Sequence, residues 1–444
     1  MTAKLSSTLC QPTALGRTRL LAIATAGVMA IGAGIGASIS QAAVGSVYFD
    51  DSRNVGAGET FFNAAFTGQD NVGLGRTVMP SLTTGFNNVA IGTRALNANT
   101  TGFANIATGV LALGDNTTGV ANVATGEGVL LSNTTGSGNI GTGQGALGDN
   151  TTGNNNIATG RFAMQSSTTG SNNVATGAQA LSANTTGHEN VAVGDAALLQ
   201  NTTGAWNVAI GSQALSDNTT GFDNTATGTD ALNENTTGSA NVASGRKALS
   251  FNTTGTNNVA TGFQALGLNE TGNNNVANGH NALVQNTTGS NNLANGFSAL
   301  QANTTGNNNV ATGPSALRAN TTGSNNVATG VDALFNATGS RNVGLGQNAG
   351  KKLTTGSDNV YIANNSGNAQ ESGTMRFGTN ANQTATFIAG ISNTTLSGAQ
   401  PVVVNSNGRL GVAPAASAST ASLAATVERL QRQVRRLRER VKGG

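Results

Sequence analysis

The chain has 444 residues, of which 9% are charged and 4% aromatic, while glycine alone contributes 62. Length of this order suggests two or three globular domains, but so few charges and aromatics and so much glycine exclude an ordinary soluble-domain composition. The formal net charge of +3 is mild, and the sole cysteine, Cys10, excludes disulfides as a staple of any chain processed beyond it.

Residues 1–19 are polar and carry Lys4, Arg17 and Arg19, and residues 20–37 are apolar and rich in Ala, Gly and Ile. Ser40-Gln41-Ala42 then places small residues where a signal peptidase requires them. Residues 1–42 therefore read as a secretory signal peptide and the mature chain as exported, to the medium or the surface of a bacterium. A retained membrane span is the alternative for the same apolar run, which its glycines make weakly hydrophobic.

Residues 43–67 crowd Phe49, Phe61, Phe62 and Phe66 together and read as an N-terminal cap, because the end of a stack has no neighbour to cover it. From 68 to 367 one sentence of 17 residues repeats, clearest from Thr84 to Thr100, with a glycine at Gly85, Gly102, Gly119 and onward. A fixed period outranks any local secondary-structure reading. Three residues after the glycine stands Asn, then Val or Ile, Ala, a variable residue and a second glycine such as Gly92. Ala-Leu follows after two free positions, as in Ala95-Leu96, and Asn-Thr-Thr closes the unit.

Two glycines with Asn and Thr oppose helix. Two short strands per unit, one at Asn-Val-Ala and one at Ala-Leu, fit instead. The predicted fold is all-β, a parallel β-solenoid or β-roll of about eighteen 17-residue coils, on the order of 85 Å long at one strand spacing per coil. Stacking puts like over like, so Asn88, Asn105 and Asn122 form one expected amide ladder and Asn99, Asn116 and Asn133 a second. Val89 and Ala90 point to opposite faces, and the lumen needs only one of them. A small apolar residue on the other face predicts burial against another copy of the chain.

Asn88-Val89-Ala90-Ile91-Gly92 and Asn207-Val208-Ala209-Ile210-Gly211 resemble the repeats in heads of trimeric autotransporter adhesins of the YadA type. The Thr-Thr-Gly frame is also similar to repeats of bacterial surface and phage tail-fibre proteins. The resemblance implies a parallel β-roll, trimerisation and an exposed adhesive fibre whose partners are further copies of the chain and a surface glycan, host or cell-envelope ligand. Adhesin heads of that type repeat at a shorter interval and are followed by a membrane-spanning β-barrel, which is not legible here. Gly373-Thr374-Met375-Arg376-Phe377-Gly378 with residues 386–391 looks like the junction before a self-cleaving chaperone domain in tail fibres.

One unit is a residue short, since Gly339 follows Gly323 by 16. Residues 368–412 read as a β-rich end cap with strands at Val402-Val403-Val404 and Leu410-Gly411-Val412 around an Asn407-Gly408 turn, and 413–422 as a linker. Over 423–442, Leu423, Val427, Leu430, Val434, Leu437 and Val441 make a heptad seam with Val at a and Leu at d, a short coiled-coil helix. Its arginines offer contact with an anionic surface.

His188 and His280 lie at variable corners without metal-ligand spacing, and aspartates such as Asp115, Asp149, Asp195 and Asp217 keep no column. No catalytic, metal or cofactor residue is assigned. Function is expected at the free positions after each glycine, among them Phe86, Phe103, Trp206, Phe222, His188 and Glu189, then Arg94, Arg161, Phe162, Asp230, Arg246 and Lys247. The leading expectation is a non-catalytic, homotrimeric adhesin-like fibre. A tail-fibre-like glycan-binding module comes next. Ice binding through the Thr108, Thr125 column is third, because Val193, Ile210, Asn278 and Asn295 interrupt that column.

Overall fold

The computed structural model describes residues 47–63, 65–379, 383, 402–404, 409–412 and 418–442, and the chain divides into two compact units between Thr379 and Asn380. The signal-peptide reading of 1–42, the stretch 386–391, the Asn407-Gly408 turn and residues 413–417 lie outside the described residues.

The first unit is a parallel β-solenoid of about 19 coils at a spacing of about 17 residues. Each coil supplies one three-residue strand, from Val55–Ala57 to Met375–Phe377, and like pairs over like: Val89 with Ile106, Ala90 with Ala107, Ile91 with Thr108. At the N-terminal end Val47–Phe49 folds back antiparallel on Val55–Ala57, giving that end a hairpin.

The expected second strand at Ala-Leu is not formed. Arg94 and Leu96 both take left-handed backbone angles, φ 59° and 50°, which a strand does not accommodate. Seventeen residues must close a full circuit while rising only one strand spacing, and these two residues supply the sharp reversal. Coil-to-coil bonding continues without strand geometry, with the Leu96 N–H donating to the Ala112 carbonyl at 3.0 Å.

The lumen of a coil holds Ala90, Ala95 and Leu96 together with Asn88 and Asn99, all fully buried. The expectation of a small residue on the outer face is thus reversed, because Ala90 points inward and Val89 outward. The cause is width. Across a lumen about one leucine wide the strand has room for a methyl group and no more. Where the filling is larger, the strand residue shrinks to glycine. A Cβ on Gly56 would lie 2.3 Å from Phe61 Cδ2, and one on Gly141 2.4 Å from Val129 Cγ1.

Aromatic rings close the N-terminal end. Phe61 and Phe62 are buried, and Tyr48 and Phe66 pack against them. Phe49, expected in this cap, is 72% exposed. Strand alternation turns Tyr48 inward instead. At the other end Tyr361 takes the lumen alanine's place and donates its hydroxyl to Glu371, whose carboxylate Arg376 grips through Nε at 2.9 Å and Nη2 at 2.6 Å. Arg376 holds the Glu371 carboxyl below its ordinary value, and burial pushes the Tyr361 phenol up.

In the second unit Val402–Val404 pairs antiparallel with Leu410–Val412. Helix α1, Ala418–Lys442, begins inside the stretch read as linker.

Candidate functional site

The stacked asparagines bond from coil to coil. Asn105 Nδ2 donates to Asn88 Oδ1 at 3.2 Å, and Asn122 Nδ2 to Asn105 Oδ1 at 3.2 Å. Along the repeats Nδ2 also reaches a glycine carbonyl, as Asn88 does to Gly102 at 3.0 Å, and Oδ1 accepts the next asparagine's backbone N–H, until Asn359 at the far end, which donates to the Glu371 carbonyl and accepts the Thr374 N–H instead. Below Asn54, Asp50 stands in for a missing asparagine, accepting the Asn54 N–H at 2.8 Å and its Nδ2 at 2.9 Å. Partial burial pushes the Asp50 carboxyl up, but bonds from Asn54, Tyr48 and Ser52 outweigh it and hold the group below its ordinary value. The same contact, with burial first among its causes, pushes the Tyr48 phenol up to about 12.

In the second ladder Asn116 Nδ2 donates to Asn99 Oδ1 at 2.8 Å and Asn133 Nδ2 to Asn116 Oδ1 at 2.7 Å. It has defects. Ser167 and Ala337 occupy asparagine slots, and Asn150 Oδ1 and Asn320 Oδ1 below them are buried without a hydrogen-bond partner, as is Ser167 Oγ. At the short unit the lost residue is a corner threonine. Ala337 enters the lumen while Asn336 turns out and donates to the Lys351 carbonyl. A third ladder escaped sequence reasoning, although its threonine recurs visibly: Thr100 Oγ1 donates to the Thr117 carbonyl at 3.0 Å, and Thr117 Oγ1 to Thr134 at 2.9 Å. These columns leave few polar groups for a ligand, so their chemistry is structural.

The surface open to partners is the outer face of the parallel sheet. Every strand from Val89–Ile91 to Val360–Ile362 turns its first and third residues outward, and none of those positions carries a charge. The first is almost always Val or Ile, and Ile106, Ile140 and Val276 are 43%, 40% and 38% exposed. Threonine dominates the third, with Ile91, Val193, Ile210, Asn278 and Asn295 among its exceptions. A solvated sheet face ordinarily bears charge. This one is a charge-free stripe of mostly methyl groups and hydroxyls about 80 Å long at the strand spacing.

Two corners flank it. After the first glycine, Phe86 and Phe103 stack with centroids 4.7 Å apart, and His188 meets Trp206 edge-on while Trp206 Nε1 donates to Glu189 Oε2 at 2.8 Å. After the second, the Arg246 guanidinium lies over Phe263 at 5.8 Å, and Phe263, His280 and Phe297 stack at 5.1 and 5.4 Å. Phe263 and Phe297 were not singled out from the sequence, yet their 17-residue spacing from Arg246 and His280 marks them. Phe222 is 48% exposed. Arg161 lies 4.5 Å over its neighbour Phe162. Elsewhere Glu234 is pushed up by partial burial and by Asp217 one coil away. Among the described residues no three His, Cys, Asp or Glu side chains converge in a way that could hold a metal ion. The corners offer ring faces and edges for binding.

Helix α1 keeps its seam uncovered. Leu423, Val427, Leu430, Val434, Leu437 and Val441 are all exposed. No family model, curated protein or solved structure matches the chain.

Proposed function

We propose that this chain is an exported, surface-exposed structural and adhesive fibre that does no chemistry and works as a homotrimer, with the solenoid as its exposed part. The observation that supports self-assembly is the charge-free outer sheet face, where Val or Ile stands at the first position of nearly every strand and Thr most often at the third. A partner of the same period would keep register along the whole stripe, and another copy of the chain has that period by construction. The uncovered seam of α1 favours the same outcome, since a 25-residue helix with six apolar side chains in solvent gains by pairing. Valine at a with leucine at d leans toward two strands, and the trimer is proposed from the resemblance of the repeat sequence to those of adhesin heads.

Light scattering on the chain in solution tests this. A mass of three times that of one mature chain is expected, and a single-chain mass at micromolar concentration overturns the proposal. Adhesion to a glycan is the second reading, and the exposed rings at the corners favour it, because sugar C–H groups pack on aromatic faces. Phe86→Ala with Trp206→Ala then lowers retention on a glycan array, and unchanged retention removes that reading. Ice binding has less support, since Asn278, Asn295, Val193 and Ile210 break the threonine column.

A further inference from the structure

We infer that α1 is an attachment device whose arginine faces dock on an anionic lipid surface. Charge along the chain is more polarised than the net +3 suggests. Residues 418–442 carry seven basic and two acidic side chains, a net of +5, whereas residues 43–417 carry twelve basic and seventeen acidic, a net of −5. The body is repelled by the surface that attracts the helix, so attachment runs through α1 alone.

The heptad register shows that the charges serve no pairing between copies of this helix. With Val427, Val434 and Val441 at a and Leu430 and Leu437 at d, the flanking e and g positions hold Gln431, Gln433, Arg438 and Arg440. No carboxylate stands at those positions, so coiled-coil pairing between copies supplies no salt bridge across the seam. The acids Glu428 and Glu439 lie at b and f, away from it. Glu428 pairs with Arg432 of its own helix at 3.1 Å, both side chains about two-thirds exposed. Arg429, Arg435, Arg436 and Lys442 fall at b and c, facing outward whether the seam is covered or not. The helix thus offers a guanidinium-rich outer face, separate from its apolar seam and set against an acidic body, and its complement is a dense field of phosphate or carboxylate. A lipid headgroup plane supplies that field along the whole basic stretch from Arg429 to Lys442, and long arginine stems let the charged heads reach it from several helical positions.

The test is cosedimentation of the full chain with vesicles of phosphatidylcholine alone and of phosphatidylcholine with 30% phosphatidylglycerol, at about 50 and 500 mM salt. Binding is expected only to the anionic vesicles and only at low salt. Arg429→Gln, Arg435→Gln and Arg436→Gln together should weaken it by on the order of a hundredfold, at ~1 kcal/mol per basic residue near the surface. Light scattering on the same variant reads the oligomer separately, because none of the three positions lies in the seam. Equal binding to neutral vesicles, no binding to anionic ones at low salt, or full binding by the triple variant overturns the inference. So does a chain that captures duplex DNA while leaving anionic vesicles in the supernatant.

Discussion

Ser167→Asn should stabilise the solenoid by repairing the second ladder. The new Nδ2 would donate to Asn150 Oδ1 and to the Gly170 carbonyl of its own coil, and its Oδ1 would accept from Asn184 Nδ2, which at present bonds only within its coil to Gly187 at 3.1 Å. The slot admits the residue, since coils with asparagine there bury it fully at the same phase, as at Asn133 and Asn201. Two buried atoms without partners, Asn150 Oδ1 and Ser167 Oγ, disappear. Two coil-to-coil bonds at ~1 kcal/mol each, with relief of one orphaned carbonyl oxygen at ~1–3 kcal/mol, give about 2–4 kcal/mol after the entropy of holding the side chain. Because a repeat array need not unfold in one step, the readout is local: amide exchange over residues 150–184 in the native state. Protection there should rise with little change beyond two coils. The mirror variant Asn235→Ser opens the same break between Asn218 and Asn252 and should lower protection by a similar amount. If both variants leave exchange within twofold of the parent, the ladders do not hold the coils together.

Other outcomes follow from the same packing. Gly141→Ala alone should cost about 1–3 kcal/mol by overpacking against Val129, and Val129→Ala in the same chain should recover most of it, a coupling that a double-mutant cycle in urea measures. Asp50 binds its proton less readily folded than unfolded, so its support of the first coil is complete above about pH 4 and fades as the pH falls through the lower folded value. Protection of the Val55 and Asn71 amides, taken relative to their intrinsic exchange rate at each pH, should therefore fall below about pH 4, and Asp50→Asn should flatten that dependence. Leu430→Asn with Leu437→Asn should lower both the helical signal of α1 and the mass by light scattering. A loss of helix without a loss of mass would place assembly in the solenoid alone.

The period was legible because stacking is a nearest-neighbour problem: a residue that touches only its own kind above and below must recur at fixed phase, and Asn88, Leu96 and Gly102 do. The strand at Val89–Ile91 and the glycines follow from the same repetition. The conformation of Ala95-Leu96 was not legible. Leucine carries no propensity for φ near 50°, so nothing in its identity announces the reversal. The inward Ala90 was misread for a related reason. Alternation says that two residues face apart but not which faces in, and lumen width decides that only once Leu96 is placed. At the corners, single residues were visible as variable positions, whereas the column of Arg246, Phe263, His280 and Phe297 appears only when four coils are overlaid.

Most coils hold three non-glycine residues in the left-handed region, Asn87, Arg94 and Leu96 in the clearest one, at φ 56°, 59° and 50°. Such backbone is unfavourable by roughly 1–2 kcal/mol per residue, so a lone coil is strained by several kcal/mol with little core to offset it. A neighbour changes the balance at once. One further coil adds three fully buried apolar side chains, two amide links and a hydroxyl-to-carbonyl bond, all against groups the previous coil already presents. Stability therefore resides in the interfaces, and the two ends are where it is missing. That explains why the ends depart from the repeat most strongly: aromatic rings and Asp50 at one, Tyr361 with Glu371 and Arg376 at the other, each supplying from its own side chains what an absent neighbour would have provided. The middle of the array is free to vary only where side chains leave the stack, and that freedom lies at the corners.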